Sequence, residues 1–319
     1  MSLLAHAVLK SSLARRIVRR VSRGRVPVIM YHGVTSSPLP VYNWCHMSAA
    51  EFRAQAEWLK ANCRVLPLAE VVSRLGAHRP MPESAACITF DDGFRSVASH
   101  AAPILEKLGL PFTVFIVTGL RETGAAPWPE RIFAALLGSA QETVCWNDRT
   151  WSIRSPEERK AFYAATIAGL VRLPSAKRQE KADRLVQLLG EAPSEWTAMF
   201  STLTQPELAA ITASGLCSLG AHSNTHAILT LCTDEELRRE LEVSRRTLAG
   251  TRGYCDILAY PNGDHNAAVT AAARETGFRG AVTVEHRLCR AGDDPFAVPR
   301  VGIASGLPTD AFEIKILGY

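Results

Sequence analysis

Short apolar runs alternate with helical patterns along the chain from Val26 onwards, and this alternation constrains the fold more than any other feature. The runs have the length of buried strands, whereas the segments between them repeat their apolar residues every three or four positions. Strands that alternate with helices form a largely parallel sheet. Seven candidate strands, at residues 26–31, 85–90, 112–117, 216–221, 257–260, 280–283 and 297–301, predict a closed or nearly closed α/β barrel.

Four helix starts are marked by Ser or Thr followed three residues later by Glu. In this pattern the hydroxyl and the carboxylate each accept a bond from a backbone N–H that the helix leaves unpaired. It predicts a helix start at Ser48/Glu51, Ser155/Glu158, Thr204/Glu207 and Thr233/Glu236.

Residues 121–203 break the alternation, because they contain several helical patterns and a predicted hairpin at 144–153. The segment is long for a barrel loop, so we predict a mainly helical insertion. It holds four of the six tryptophans, which we interpret as the core of a small subdomain in preference to sugar-stacking platforms. The predicted organisation is a basic segment at 1–25, a barrel at 26–120 and 204–319, and the insertion at 121–203.

The first 25 residues combine seven Lys and Arg side chains with no acidic residue. Apolar residues recur there at three- and four-residue spacing, which is the pattern of a basic amphipathic helix. The apolar residues precede the charges, unlike in a cleavable signal, and no window reaches the roughly 18 apolar residues of a membrane span. Two interpretations remain open, an anchor to anionic lipid and a helix packed on the domain with solvated arginines.

The rest of the chain is nearly neutral. The 319 residues together carry a formal charge of +5 and the first 25 carry +7, so the remainder carries 5 − 7 = −2. It shows no basic stripe with interleaved aromatics, which argues against nucleic-acid binding. A composition of 47% hydrophobic and 21% charged residues excludes intrinsic disorder.

The eight cysteines are scattered along the chain and include no CxxC pair, which favours reduced thiols. We therefore expect a cytoplasmic protein that touches the inner membrane peripherally, if at all.

Two adjacent carboxylates, Asp91 and Asp92, directly follow the candidate strand at 85–90. Ligands of parallel α/β folds gather at the carboxyl ends of strands, which is where these side chains would lie. Two carboxylates at the end of a buried strand repel each other and raise each other's pKa unless a cation or a proton intervenes. The pair therefore indicates a metal site.

Two further strand ends carry polar residues. The strand at 216–221 leads into His222 and His226, and if this segment forms a helical turn, both rings lie on one face and can share an ion. Two histidines and one carboxylate leave coordination positions open, as a catalytic site requires. The strand at 257–260 is followed by a tight turn at Pro261, Asn262 and Gly263, which can present a backbone N–H to an oxyanion.

Together these motifs resemble the polysaccharide deacetylase family, also called the NodB-homology or carbohydrate esterase family 4 domain. The resemblance covers residues 26–301 apart from the insertion, and it implies a distorted (β/α)7 barrel. It rests on Thr89-Phe90-Asp91-Asp92-Gly93, His222-x-x-x-His226, Tyr260-Pro261-Asn262-Gly263 and the opening Val28-Ile29-Met30-Tyr31-His32-Gly33-Val34. The implied activity is metal-dependent removal of an N-acetyl or other N-acyl group from an amino sugar, in a polysaccharide or a lipid-linked glycan precursor.

The resemblance also implies a role for each matching residue. Asp91 is the expected general base, and a water on the metal is the nucleophile. Asp92, His222 and His226 are the expected ligands of one divalent ion, with zinc as the default and cobalt, nickel or iron(II) as ions that suit the same donors. The N–H of Asn262 is the expected oxyanion donor. Tyr260, Pro261 and His32 are assigned to substrate binding, although a structural role for His32 is an equally open interpretation.

The sequence departs from the family pattern at two points. Many members have an Arg two residues before the proline of the turn, where this chain has Ala259, and we hypothesise that Arg300 supplies the missing charge beside the base. The late Leu-x-His motif, whose histidine is the usual general acid, is absent. His286 and His265 are the nearest candidates, and each can equally be a surface histidine. A non-catalytic glycan-binding barrel and a metal-dependent phosphoesterase remain alternative functions.

Overall fold

A computed structural model of the chain describes residues 24–318. The amphipathic helix predicted at 1–25, and with it the contact to a membrane, falls almost entirely outside these described residues. Within them, no helix is both long enough and apolar enough to cross a membrane.

The core of the fold is a curled sheet in which every pair of neighbouring strands is parallel. Its strands are β2 (Val28–Tyr31), β5 (Arg64–Val65), β6 (Ala85–Phe90), β7 (Phe112–Ile116), β10 (Cys217–Ala221), β11 (Tyr254–Ala259), β12 (Gly280–Val282) and β14 (Val301–Gly302). Their order in the sheet is β12-β11-β10-β7-β6-β2-β14, and β5 pairs with β6 in addition. Each of the seven predicted strands is present, with ends that differ by up to four residues.

The segment that ends in β14 joins the two edges of this sheet. Val298 forms a parallel bridge to Val282 on one edge, and Val301 lies opposite Ile29 on the other. Because one short segment pairs with both edge strands, the sheet curls into the predicted distorted barrel.

Within residues 24–318, three two-stranded pairs lie outside the barrel sheet. β1 (Arg25–Val26) pairs with β13 (Cys289–Arg290), β3 (Gly33–Thr35) pairs with β4 (His46–Ser48), and β8 (Thr143–Trp146) forms a hairpin with β9 (Arg149–Ser152). The helices are α1 (Ala49–Asn62), α2 (Leu68–Gly76), α3 (Ala102–Leu108), α4 (Trp128–Gly138), α5 (Pro156–Leu170), α6 (Ser175–Leu189), α7 (Ser194–Met199), α8 (Gln205–Ile211), α9 (Asp234–Leu248), α10 (Ala267–Thr276) and α11 (Thr309–Ile316).

Both faces of the barrel strands are buried, which explains why their sequences are continuously apolar. Because successive side chains of a strand point to opposite faces, Ile29 and Tyr31 join one hydrophobic cluster while Val28 joins another. The first cluster includes α1, α3 and α9, and the second includes α2. This double burial fixes the strand ends from which the polar residues project.

Residues 121–203 form α4 to α7 and the β8–β9 hairpin, and most of their apolar residues pack against one another. Trp128 and Trp146 are buried in one cluster with Phe162 and Leu185, and Trp151 packs against it. Trp196 packs against a second, smaller cluster. The tryptophans therefore contribute to local cores, and Trp128 also reaches the cavity described below.

All four predicted capping boxes are formed. At the start of α9, the Glu236 N–H donates to Thr233 Oγ1 at 3.3 Å and the Thr233 N–H donates to Glu236 Oε2 at 2.8 Å.

We expect Thr233→Ala to lower the free energy of unfolding by about 1 kcal/mol, because a helix-terminal N–H loses its acceptor. Denaturant unfolding monitored by circular dichroism measures the change. Thr233→Ser keeps the hydroxyl and is the control. A loss of equal size in both variants would show that the methyl group, and not the cap, is responsible.

Candidate active site

The carboxyl ends of the parallel strands open into one cavity of about 490 Å³. Its wall includes Asp91 and Asp92 after β6, His222 and His226 after β10, and Asn262 after β11. These side chains lie close together because all strands of a parallel sheet end at the same edge.

Three of these residues form a compact group of possible metal ligands. One donor atom each from Asp92, His222 and His226 lies within 4.8 Å of the other two. Asp92 Oδ1 is 3.6 Å from His222 Nε2 and 3.3 Å from His226 Nε2. The structure thus brings together the three residues that the sequence assigned to a metal.

The two histidines converge by a different route from the helical turn considered above. Residues 222–226 form an irregular loop, in which Ser223 and His226 have φ of 58°. Asp92 also has a positive φ, 66°, a conformation that Asp adopts more readily than most residues. Left-handed residues turn the chain sharply at the strand ends and aim the donors at one point.

Hydrogen bonds outside the group hold this loop in place. His222 Nδ1 is 2.8 Å from the carbonyl oxygen of Ala259 on β11, which orients the ring so that Nε2 faces the cavity. Glu240 of α9 accepts bonds from the N–H groups of Asn224 and Thr225, both at 2.8 Å, and from the Thr225 hydroxyl at 2.7 Å. One buried carboxylate therefore fixes the loop between the two histidines.

The chemistry of the donors fits a divalent ion. Asp92 Oδ1 is buried and has no hydrogen-bond partner among the described residues. Burial, Glu130 and Asp91 raise the pKa of Asp92 well above its usual value, and a cation beside this carboxylate would offset that shift. Burial lowers the pKa values of His222 and His226, which favours the neutral imidazoles that bind zinc-like metals.

Asp91 makes a different contact, a bidentate ion pair with Arg300. Arg300 Nη1 lies 2.6 Å from Asp91 Oδ1 and Nη2 lies 2.7 Å from Oδ2, while Nε donates to the Thr283 carbonyl at 2.8 Å. Burial alone would raise the pKa of Asp91, but the Arg300 guanidinium and, more weakly, His222 hold it well below the usual range. The carboxylate beside the metal-ligand group therefore stays ionised, and Arg300 lies where our hypothesis required it.

The turn after β11 places Asn262 at the cavity. Its φ is 59°, and the hydrogen bonds of the turn run from Gly263 N to Tyr260 O and from Asp264 N to Pro261 O. Gly263 has a φ of +75°, and a Cβ there would come within 2.6 Å of the backbone nitrogen of Val284. Only glycine fits this close approach.

Tyr260, which the resemblance assigned to substrate binding, lies away from the cavity wall. Its side chain is fully buried in the hydrophobic core, and its hydroxyl donates to the Phe296 carbonyl at 3.0 Å. Pro261 is also buried, and neither residue is part of the cavity wall. A tyrosine at the end of a strand carries no signal that tells a core-facing ring from a pocket-facing one.

The three other histidines named from the sequence occupy different positions. His32 lines the cavity against the edge of the Trp44 ring, and burial lowers its pKa to about 4. His286 is exposed and lines the cavity. His265 lies outside the wall, where it stacks on Tyr260, with its Nδ1 3.1 Å from the Gly263 carbonyl oxygen.

Several cavity residues were not found from the sequence, among them Lys315 and two buried charged residues of the segment 121–203. Glu130, in the first turn of α4, is 4% exposed and lies 3.5 Å from His46 Nε2. Arg178 of α6 and the ring of Trp128 complete this side of the wall. A glutamate in a first helical turn and an arginine within a polar helix are usually solvated, so no local pattern marks these two residues.

Comparison with known proteins agrees with this geometry. The sequence profile of the family described as Polysaccharide deacetylase matches residues 78–164 and 172–281, which is more than half of the chain and includes much of the segment 121–203. YxkH of Bacillus subtilis (strain 168), a protein assigned as a polysaccharide deacetylase, is 31% identical over 94 residues. That match spans 29% of this chain and 32% of YxkH.

Solved structures share the fold at low sequence identity. The deacetylase PplD of Streptococcus pyogenes, solved in complex with acetate, superposes with a TM-score of 0.62 at 17% identity, over 92% of this chain and 98% of PplD. BC0361, a polysaccharide deacetylase from Bacillus cereus, gives 0.60 at 18% identity, over 92% of this chain and 69% of that one. IcaB from Ammonifex degensii gives 0.56 at 19% identity, over 91% and 95%. The chain belongs to the polysaccharide deacetylase family, whose members are hydrolases of N-acetyl amide bonds.

Proposed function

We propose that this protein is a divalent-metal-dependent N-deacetylase that acts on an N-acetylated amino sugar. The observation that carries the proposal is that the two adjacent carboxylates have different partners. Asp92 joins two histidines in a group suited to a metal, whereas Asp91 is ionised and held by Arg300 in the same cavity. Zinc is the ion that we expect, by the nature of the donors.

When bound by Asp92, His222 and His226, the ion supplies Lewis-acid polarisation of the amide carbonyl and of a water molecule. Asp91 takes the proton from the attacking water, and the two bonds from Arg300 fix the direction of its carboxylate. As the carbonyl carbon becomes tetrahedral, the Asn262 N–H donates to the developing oxyanion.

The leaving amine needs a proton before it departs. Of the two histidines considered from the sequence, His286 lines the cavity and His265 does not, so we assign the proton donor to His286.

The wall supports a sugar substrate with an acetyl group. Trp44 is 46% exposed and lies on the cavity wall, so an aromatic surface is available to a sugar ring. The structural relative PplD was solved with acetate, which is the product expected here. The basic amphipathic pattern of residues 1–25 is the feature that favours a lipid-linked precursor over a polysaccharide as the substrate. The expected cytoplasmic, membrane-peripheral location stays a prediction.

Acetate release from a panel of N-acetylated sugars, free, polymeric and polyprenyl-linked, tests the proposal. We expect release by the zinc-loaded protein and a loss of about 100-fold or more in Asp91→Asn, because the general base is removed. Asp148→Asn, in the exposed β8–β9 turn, is the matched control. Equal rates in all three proteins, or phosphodiesterase activity without amide hydrolysis, would overturn the proposal.

Replacement of Arg300 tests how Asp91 is kept ionised. Without the guanidinium, burial raises the pKa of Asp91, so the base is protonated at higher pH and the acidic limb of the kcat/KM profile moves upward. Arg300→Met removes the charge, whereas Arg300→Lys keeps it and loses the bidentate geometry. We expect the larger shift in Arg300→Met, together with about 3–5 kcal/mol lower stability. An unchanged pH profile in Arg300→Met would remove Arg300 from the mechanism.

The role of Glu240 can be tested without any substrate. Because its carboxylate fixes the loop between His222 and His226, we expect Glu240→Ala to weaken zinc affinity by about 10- to 100-fold. Calorimetric titration of zinc measures this directly. Glu242→Ala removes an exposed carboxylate from the same helix and should leave the affinity as it is. Equal affinities in the two variants would show that the loop holds its shape without Glu240.

A further inference from the structure

Arg178 is a buried cation on the cavity wall that the proposed reaction does not use. It is 3% exposed, and its Nη2 donates to the backbone carbonyl of His226 at 3.3 Å. Its guanidinium carbon lies 5.5 Å from the centre of a Trp128 ring. The guanidinium is thus fixed beside the loop that carries a metal-ligand candidate, inside the cavity that holds the ionised base.

Among the described residues, no carboxylate forms an ion pair with Arg178. The contrast with Arg300 is direct, because that buried guanidinium has Asp91 as its bidentate partner. Glu240, whose charge acts on Arg178, is occupied by the hydrogen bonds of Asn224 and Thr225. Burying a guanidinium without a counterion is unfavourable, and one carbonyl contact uses only one of its five N–H groups.

The other acidic groups of the cavity have neighbours of their own. Asp91 is paired with Arg300, Asp92 faces the two histidines of the metal-ligand group, and Glu130 lies 3.5 Å from His46 Nε2. Lys315 is a second cation on the wall, but it is only partly buried and so keeps contact with water. An anionic ligand would therefore stabilise Arg178 more than it would stabilise Arg300, which is already paired, or Lys315, which keeps contact with water.

We infer that the substrate carries a carboxylate or a phosphate close to the reacting N-acetyl group, and that Arg178 binds this anion. The inference deepens the proposed function and rests on it. A guanidinium presents planar, forked N–H groups that match both anions in a bidentate way. The Trp128 ring fixes the position of that fork, so Arg178 would select among N-acetylated sugars without touching the reacting atoms.

Matched substrates test the inference. The set is a neutral N-acetylated disaccharide, the same disaccharide with a uronate carboxyl, and the same disaccharide with a phosphate, so that its two charged members distinguish the two sources of anion. We expect the zinc-loaded wild type to favour at least one charged member by about tenfold or more in kcat/KM, mainly through KM. Arg178→Gln should bring the ratio of charged to neutral substrate close to one. Arg184→Gln, which removes an exposed arginine from the same helix, should keep the wild-type ratio.

Three results would overturn the inference. The wild type could show no preference, Arg178→Gln could keep the wild-type ratio, or Arg178→Gln could lower zinc affinity and all rates equally. The last result would mean that Arg178 only supports the His226 loop.

If the wild type releases acetate from no substrate at full metal occupancy, the proposed function fails and Arg178 is tested by binding alone. Inorganic phosphate is then titrated into the zinc-loaded protein while tryptophan fluorescence is recorded. Binding that is weakened about tenfold or more in Arg178→Gln, and unchanged in Arg184→Gln, retains the anion site. Equal affinity in wild type and Arg178→Gln rejects it.

Discussion

The buried ion pair between Asp91 and Arg300 is the contact on which both the barrel and its chemistry depend. Asp91 follows a strand in the middle of the sheet, and Arg300 belongs to the segment that bridges the sheet's two edges. The pair therefore ties the closing segment to the central strands across 209 residues of sequence. Since a buried carboxylate without its partner would take up a proton, the same contact that closes the barrel keeps a base ionised.

Around this pair, the sheet positions the strand ends and the loops orient the donor side chains. The parallel strands are buried on both faces and bring their ends to fixed positions. The loops then aim the donors through left-handed residues, with φ near +60° at Asp92, Ser223, His226 and Asn262. Such conformations cost free energy and persist where the surrounding structure holds them, as Glu240 does for the His222–His226 loop. The proposed reaction needs fixed distances between a base, a Lewis acid and an oxyanion donor, and these contacts hold the residues assigned to those roles.

The segment between residues 121 and 203 contributes one side of the cavity wall. The barrel contributes the groups expected for amide hydrolysis, and α4 and α6 add Glu130, Trp128 and Arg178 on one side. The cavity wall is therefore built from two parts of the chain, the strand ends of the barrel and the helices of the segment 121–203.

The sequence by itself determined the strands and helix starts and indicated which strand ends carry polar side chains, because both depend on local patterns. Apolar runs predicted the seven strands, Ser/Thr-x-x-Glu pairs predicted four helix starts, and the motifs at Asp91, His222 and Asn262 predicted which strand ends carry polar groups. Arg300 could be predicted only because the family pattern has an Arg at the position where this chain has Ala259. Tertiary structure alone decided that Tyr260 faces the core, that residues 222–226 form a loop instead of a helical turn, and that Glu130 and Arg178 reach the cavity. These outcomes depend on packing between segments far apart in the chain, and local periodicity contains no information about such contacts.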